Sequence, residues 1–339
     1  SYLYRNDGDG KFTDVSAESG IQINNPATGI PISKTLAITA LDFNNDGFLD
    51  VFVANDTVQN FLLQNMGDGT FKDVGVNYGI AFDRYGSATG AMGVDVANLL
   101  NDGNIGIAVG NFANEMTSLY MSDVAGGNFA DGSITEGIGP ATRLVLSFGL
   151  FFFDFDLDGR LDLFQANGHL EEEINSVQSS QHYKQQIQLF WNCGNDCSVS
   201  YIAVQNTAAF SNALVARGAS YADIDADGDL DIVVTQVNAR PVLFKNNQTT
   251  GHHWLRVKLI GTHTNRDAIG AVVELVTKNG VQRQRVMPTR SYLSSVELPL
   301  TFGLGTNTEI EELRIYWSDG SIQTLSDVPT DRAIVIEQD

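Results

Sequence analysis

Four segments of the chain align on one nine-residue pattern, with acidic or amide residues at alternating positions and glycine at position 6. They are Asp42-Phe-Asn44-Asn-Asp46-Gly47-Phe-Leu-Asp50, Asn98-Leu-Leu100-Asn-Asp102-Gly103-Asn-Ile-Gly106, Asp154-Phe-Asp156-Leu-Asp158-Gly159-Arg-Leu-Asp162 and Asp223-Ile-Asp225-Ala-Asp227-Gly228-Asp-Leu-Asp231, with starts 56, 56 and 69 residues apart. A repeat of this length constrains the fold strongly, because one unit cannot bury its own apolar face and must stack on its neighbours. Each loop is followed by β-formers, such as Val51-Phe52-Val53, Leu163-Phe164 and Ile232-Val233-Val234, so the loops join strand to strand. A second motif recurs between them: Leu3-Tyr4-Arg-Asn6, Leu62-Leu63-Gln-Asn65, Leu119-Tyr120-Met-Ser122, Leu189-Phe190-Trp-Asn192 and Leu243-Phe244-Lys-Asn246. Gly-Asp-Gly turns follow several copies, as at Gly67-Asp68-Gly69, which is a hairpin signature. Units of this size with several short strands are β-propeller blades. The expectation is an all-β chain with about four repeats visible. The opening residues read as the closing half of a first, incomplete blade.

Composition shifts near Gly251. Residues 1–251 hold 30 acidic and 11 basic side chains, whereas 252–339 hold 11 and 9. The later part opens on Trp254-Leu-Arg-Val-Lys-Leu-Ile260, where Leu255, Val257 and Leu259 share one face of a strand. Short strands follow between turns at Asn279-Gly280 and Asp319-Gly320. The reading is two units, a propeller region over 1–251 and a small β-sandwich domain over 252–339.

Of the 41 acidic residues, 29 are Asp, a residue that favours turns and metal loops over helices. Hard oxygens at positions 1, 3, 5 and 9, around a glycine that permits a sharp turn, suit calcium, which takes six to eight oxygens in irregular geometry. In the first loop the expected ligands are Asp42, Asn44, Asp46 and Asp50 with the carbonyl of Phe48. The third offers Asp154, Asp156, Asp158 and Asp162 with the carbonyl of Arg160; the fourth offers Asp223, Asp225, Asp227 and Asp231 with that of Asp229. The second, with Asn98, Leu100 and Gly106 at ligand positions, is expected to stay empty. About three Ca2+ ions are therefore expected, each clamping a hairpin whose carboxylates would otherwise repel. An EF-hand is excluded, because position 12 is Val53, Gln165 or Val234 and the flanks are strands.

These loops, with Val53-Ala-Asn55-Asp56, Gly110-Asn111-Phe112 and Ala166-Asn167-Gly168-His169, resemble the FG-GAP/VCBS repeat propellers that carry a carboxyl-terminal ASPIC/UnbV domain. The carboxyl-terminal part of the resemblance rests on Trp254 to Leu259, Gly261-Thr262, Asn265 to Ala271, Ser291 to Ser294, Phe302 to Gly305 and Trp317 to Gly320. It implies an extracellular or surface protein that binds calcium through its blades and mediates adhesion or matrix contacts, with a protein or glycan ligand and no established reaction. Two features depart from the pattern, the ligand-poor second loop and a number of repeats below the seven blades of other members.

Other function classes are weaker. A formal charge of −21 opposes nucleic acid and anionic membrane surfaces as partners, and no apolar run is long enough to span a bilayer. No nucleophile elbow, phosphate loop, dinucleotide fingerprint or zinc helix is present. His169 beside Glu171, Glu172 and Glu173 is the one acid–base cluster, and a solvated loop explains it better than catalysis. A lectin-like alternative would stack sugars on Tyr183, Trp191 and Tyr201, residues that core packing also explains. Self-assembly through an open blade edge at Tyr2 to Asn6 is a further alternative, giving a homo-oligomer or polymer subunit. Asn55 and Asn247 stand in glycosylation sequons, and Cys193 and Cys197 read as a small local disulfide.

Overall fold

The computed structural model describes residues 1–123, 127–205 and 208–339. Strands β1 (Tyr4–Gly8) and β2 (Lys11–Asp14) form an exposed hairpin. Three four-stranded antiparallel blades follow. They comprise β3 (Thr35–Leu41), β4 (Asp50–Asn55), β5 (Phe61–Asn65) and β6 (Phe71–Asp73); then β7 (Val94–Ala97), β8 (Gly106–Val109), β9 (Ser118–Ser122) and β10 (Phe129–Asp131); then β11 (Ser147–Phe153), β12 (Asp162–Asn167), β13 (Gln188–Asn192) and β14 (Tyr201–Ala203). The next blade has three strands, β15 (Ala216–Ala222), β16 (Asp231–Gln236) and β17 (Ala239–Phe244).

All four acidic loops close the same hairpin in their blades, between the first and second strands. In each case the residue at position 9 pairs with the residue just before position 1: Leu41 with Asp50, Ala97 with Gly106, Phe153 with Asp162 and Ala222 with Asp231. The first strands of successive blades lie side by side, β3 on β7, β7 on β11 and β11 on β15. Strand β11 explains why its sequence is apolar throughout. Leu150 and Phe152 pack with Leu99, Ala108 and Leu119 of the preceding blade, while Phe151 and Phe153 pack with Ala219 and Ile232 of the next. Alternation puts successive side chains on opposite faces, and both faces are buried.

The carboxyl-terminal segment is a sandwich of two sheets. One has the order β23 (Leu300–Gly305), β18 (His253–Ile260), β26 (Arg332–Glu337), and the other β20 (Gly280–Arg285), β19 (Val272–Thr277), β24 (Glu312–Tyr316), β25 (Ile322–Leu325). Leu255, Val257 and Phe302 meet Val273, Leu275 and Ile315 in its core. Strands β18 and β26 pair in parallel, which requires the long crossover between them.

A hairpin of β21 (Thr289–Arg290) and β22 (Ser294–Ser295) extends from this segment to the first strands of three blades. Ser291 N–H donates to Val94 O (3.0 Å), Ser291 Oγ accepts from Leu150 N–H (2.8 Å), and Ser220 Oγ donates to Ser295 O (2.6 Å). Three blades are thereby tied to one hairpin. Beside it, Arg290 Nη1 donates to Asp95 Oδ1 and Oδ2 (2.8 and 3.0 Å), and Asp95 Oδ2 also accepts the Phe152 N–H (2.8 Å). Asp95 is almost wholly buried, so removal of the guanidinium strands a charge without solvent. Arg290→Ala is expected to cost about 3–5 kcal/mol. Urea unfolding of the variant and wild type measures it, and a loss below about 1 kcal/mol would contradict the role.

Candidate metal centres

The loops share one backbone path. Position 4 is left-handed in each (Asn45, Asn101, Leu157 and Ala226, φ 54–62°), and so is the glycine at position 6 (φ 89–100°). Glycine carries no Cβ penalty there. The path does not depend on a full ligand set, because the second loop adopts it with Asn98 and Leu100 at positions 1 and 3. Backbone donors reinforce it in the other three. The position 1 carboxylates accept two N–H groups each: Asp42 from Asp46 and Gly47 (both 3.1 Å), Asp154 from Asp158 and Gly159 (3.1 and 2.8 Å), Asp223 from Asp227 and Gly228 (3.2 and 3.1 Å).

Position 9 does something the pattern alone did not reveal. Asp50 accepts N–H groups of Phe43 (3.2 Å) and Asn65 (2.7 Å), Asp162 those of Phe155 (2.9 Å) and Asn192 (2.7 Å), Asp231 those of Ile224 (3.1 Å) and Asn246 (2.8 Å). Asn65, Asn192 and Asn246 are the polar residues that end the second sequence motif. The two motifs are thus halves of one clasp, which ties the loop to the third strand or to the residues just after it. Their co-occurrence in three repeats was the available signal. In the second repeat, where position 9 is Gly106, Ser122 Oγ accepts the Ile105 N–H (2.8 Å) instead.

Two loops gather carboxylates. Asp154, Asp156 and Asp162 each bring an oxygen within 4.8 Å of the others, as do Asp223, Asp225 and Asp227. Asp158 lies outside the first group, ion-paired to Arg160, and Asp231 outside the second, held in its clasp. In the first loop Asn44 Nδ2 donates to Asp46 Oδ2 (2.8 Å), which joins two of the expected ligands to each other. The second loop shows no such cluster among the described residues; Asp102 accepts from Asn104. The carboxylates suit a hard cation. Burial pushes the Asp154 and Asp162 carboxyls well above the usual range, reinforced at Asp154 by Asp158 and Asp156 and at Asp162 by Asp154. Burial also raises Asp50 to about 6 and, with Asp227, Asp229 to about 7. Asp156 Oδ1 and Asp229 Oδ1 are buried with no hydrogen-bond partner. A bound cation would satisfy such an oxygen and favour the ionised form.

The sandwich covers the third and fourth loops. Gly303 lies so close that a Cβ there would collide with the Asp154 carboxylate, and Gly305 N–H donates to Leu157 O (2.8 Å). His252 Nδ1 is 2.7 Å from Asp156 O. Trp254 packs on Gly228, and Arg256 Nε lies 3.2 Å from Asp223 Oδ2 while its fork holds Glu297.

Other predicted positions fare differently. Asn55 is fully buried, its Nδ2 donating to Gln59 O (2.9 Å) and its Oδ1 accepting from Lys34 N–H (3.0 Å); the folded chain leaves no space for a glycan there, which corrects that expectation. Asn247 is exposed. Tyr201 is buried with its hydroxyl donating to Leu161 O (3.0 Å), so it offers no ring to a sugar; Tyr183 and Trp191 are half-buried. His169 is buried rather than solvated, and its Nδ1 accepts the Glu171 N–H (3.0 Å). Cys193 and Cys197 are joined as a disulfide.

Clasp and ligand roles separate by mutation. Asp162→Ala is expected to lower stability by about 1–3 kcal/mol even in chelator, because two buried N–H groups lose their acceptor. Asp156→Ala is expected to remove one ion and leave the chelated protein unweakened; denaturant melts with and without calcium distinguish them. A carboxyl raised in the folded state contributes stability below its unfolded pKa and loses it as pH rises through the folded value. For Asp50, that window runs from the ordinary carboxyl range up to about 6. Ion-free protein should therefore melt higher near pH 5 than near pH 7.5, and calcium should reverse the order.

Comparison with known proteins agrees with this architecture. Residues 42–109 match the FG-GAP-like repeat and residues 261–339 match ASPIC and UnbV. Cartilage acidic protein 1 of Xenopus tropicalis is 29% identical over 93% of this chain and 45% of its own length. The human protein of that name is 29% identical over 91% of this chain and 43% of its own length. The chain thus spans a little under half the length of the curated relatives it matches. A lectin from Agrocybe aegerita that recognises terminal N-acetylglucosamine aligns over 73% of this chain and 60% of its own, at 18% identity and a TM-score of 0.38. The first acidic loop and the blade around it thus lie within the match to the FG-GAP-like repeat, and most of the sandwich lies within the match to ASPIC and UnbV.

Proposed function

We propose that the chain is a calcium-clamped interaction module of an extracellular, matrix-type protein, organised as a propeller unit over 1–251 and a sandwich unit over 252–339. The observation that carries the reading is the third loop, where three carboxylates converge and the buried Asp156 Oδ1 has no protein partner. Calcium there would draw on Asp154, Asp156 and Asp162. In the fourth loop it would draw on Asp223, Asp225 and Asp227, and in the first on Asp42, Asn44 and Asp46, with backbone carbonyls such as those of Phe48, Arg160 and Asp229 and with water completing each shell. The ion supplies charge neutralisation and rigidity; the chain supplies placement. Because the third and fourth loops abut Gly303, Trp254 and Arg256, their loading would also brace the sandwich against the blades.

The names of the relatives support a matrix setting, and calcium loops of modest affinity suit extracellular fluid. A calcium clamp of this kind assigns no reaction to the chain. It presents instead a rigid acidic surface to a protein or glycan partner, with Asn247 as the accessible glycosylation position.

Calorimetric titration of calcium into chelator-stripped protein tests this. The expected outcome is about three ions bound and a melting temperature raised by several degrees, since a ligand that binds only the folded state stabilises it in proportion to its occupancy. Absence of both binding heat and a thermal shift would reduce the loops to turns.

A further inference from the structure

A cavity of about 170 Å³ lies between the first strands of the blades and the sandwich. Three guanidinium groups line it, those of Arg283, Arg285 and Arg290. Four carboxylates also line it, and each is already engaged. Asp95 pairs with Arg290, and Glu297 pairs with Arg256 through two bonds of 2.8 Å. Asp42 and Asp154 each receive two backbone N–H donors from their own loops.

The arginines are less well served. Arg283 lies 3.8 Å from Glu274 at a half-exposed position. Arg285 donates one hydrogen bond, from Nη1 to Gly270 O (3.0 Å), and no carboxylate lies within ion-pair distance of it among the described residues. Burial and the neighbouring Arg283 both disfavour its charge, and only Asp42, at longer range, supports it. Arg290 Nε is buried without a partner. Asn98 Oδ1, on the same cavity, is a buried acceptor without a donor. A buried donor or acceptor left unsatisfied is costly, and more so where the group is charged.

We infer that this cavity binds a small hydroxycarboxylate monoanion, its carboxylate held by Arg285 and the free Nε of Arg290 and its hydroxyl donating to Asn98. The Arg285 guanidinium, with one carbonyl partner and no carboxylate within ion-pair distance among the described residues, keeps donors free for an anion. Planar forks favour carboxylate over a spherical ion, and the orphan acceptor calls for a donor on the ligand. Size agrees, since a cavity of about 150 Å³ accommodates a six-carbon ring, and lactate or glycerate is of that order. The inference rests on the calcium reading, because Asp42 and Asp154 line the same cavity and bound calcium would offset their charge.

Lactate, glycerate, acetate and chloride, each titrated into the full chain in saturating calcium with calorimetry and thermal melts at constant ionic strength, test the assignment, and the separate calcium titration tells failure of this site from failure of the loops. Lactate or glycerate is expected to bind saturably, and acetate about tenfold more weakly for want of the hydroxyl bond. Arg285→Gln is expected to abolish saturable binding, while Arg332→Gln, at an exposed position on β26, keeps it. If Arg285→Gln does not fold, Arg285→Lys, which keeps the charge but not the fork, should bind about tenfold more weakly. No saturable response in wild type, an equal response to chloride, or undiminished binding in the Arg285 variant would overturn the inference.

Discussion

A carboxylate deprived of water must have its oxygens filled by donors, and that requirement organises every complete repeat of this protein. Asp50, Asp162 and Asp231 each reach from the start of a second strand to two backbone N–H groups, one in the loop and one at the end of the third strand or just beyond it. The asparagine supplying the second donor reaches back with its own amide, as Asn65 does to Leu49 O and Asn192 to Leu161 O. Loop, second strand and the end of the third strand are thereby held at one point. A β-hairpin alone is marginal in water, so a tie of this kind defines where each blade begins.

With that tie in place, the remaining loop positions are free to specialise. The second repeat keeps the left-handed turn at Asn101 and Gly103 while lacking the ligand side chains, so turn geometry and cation chemistry are separable properties of one motif. The third repeat lies at the other extreme, with its carboxylates buried and the sandwich packed over them at Gly303. Charge that is tolerable on an exposed loop is costly there, because desolvation penalises the ionised form. One sequence pattern thus yields three electrostatic settings according to what covers it.

What covers it was only partly legible. Strand alternation, the glycine turns and the spacing of the repeats predicted the blades, and the strand beginning at Trp254 predicted a sandwich. The acidic loops were placed correctly between strands because β-formers follow each of them, whereas their position between the first and second strands of a blade emerged only in the fold. Asn55, by contrast, satisfied a sequon by its residue types yet is buried by the neighbouring strand, and Tyr201 looked available on a polar insertion yet fills the core beneath Leu161. Short patterns report chemistry that a residue could perform, whereas accessibility depends on neighbours that the pattern does not contain.

The sequence by itself determined the local repeat, since hairpin turns, clasping aspartates and alternating strands involve residues close along the chain. Only the tertiary structure decided how the two units meet. Arg290 and Asp95 stand 195 residues apart, and Ser291 and Leu150 stand 141 apart. No spacing rule links such residues, because their encounter depends on the summed path of four blades and the crossover of the sandwich. The entropy of closing so long a loop rises only slowly with its length. Buried charge pairing and packing against the first strands can therefore select that contact, and they are visible only once the chain has been brought together.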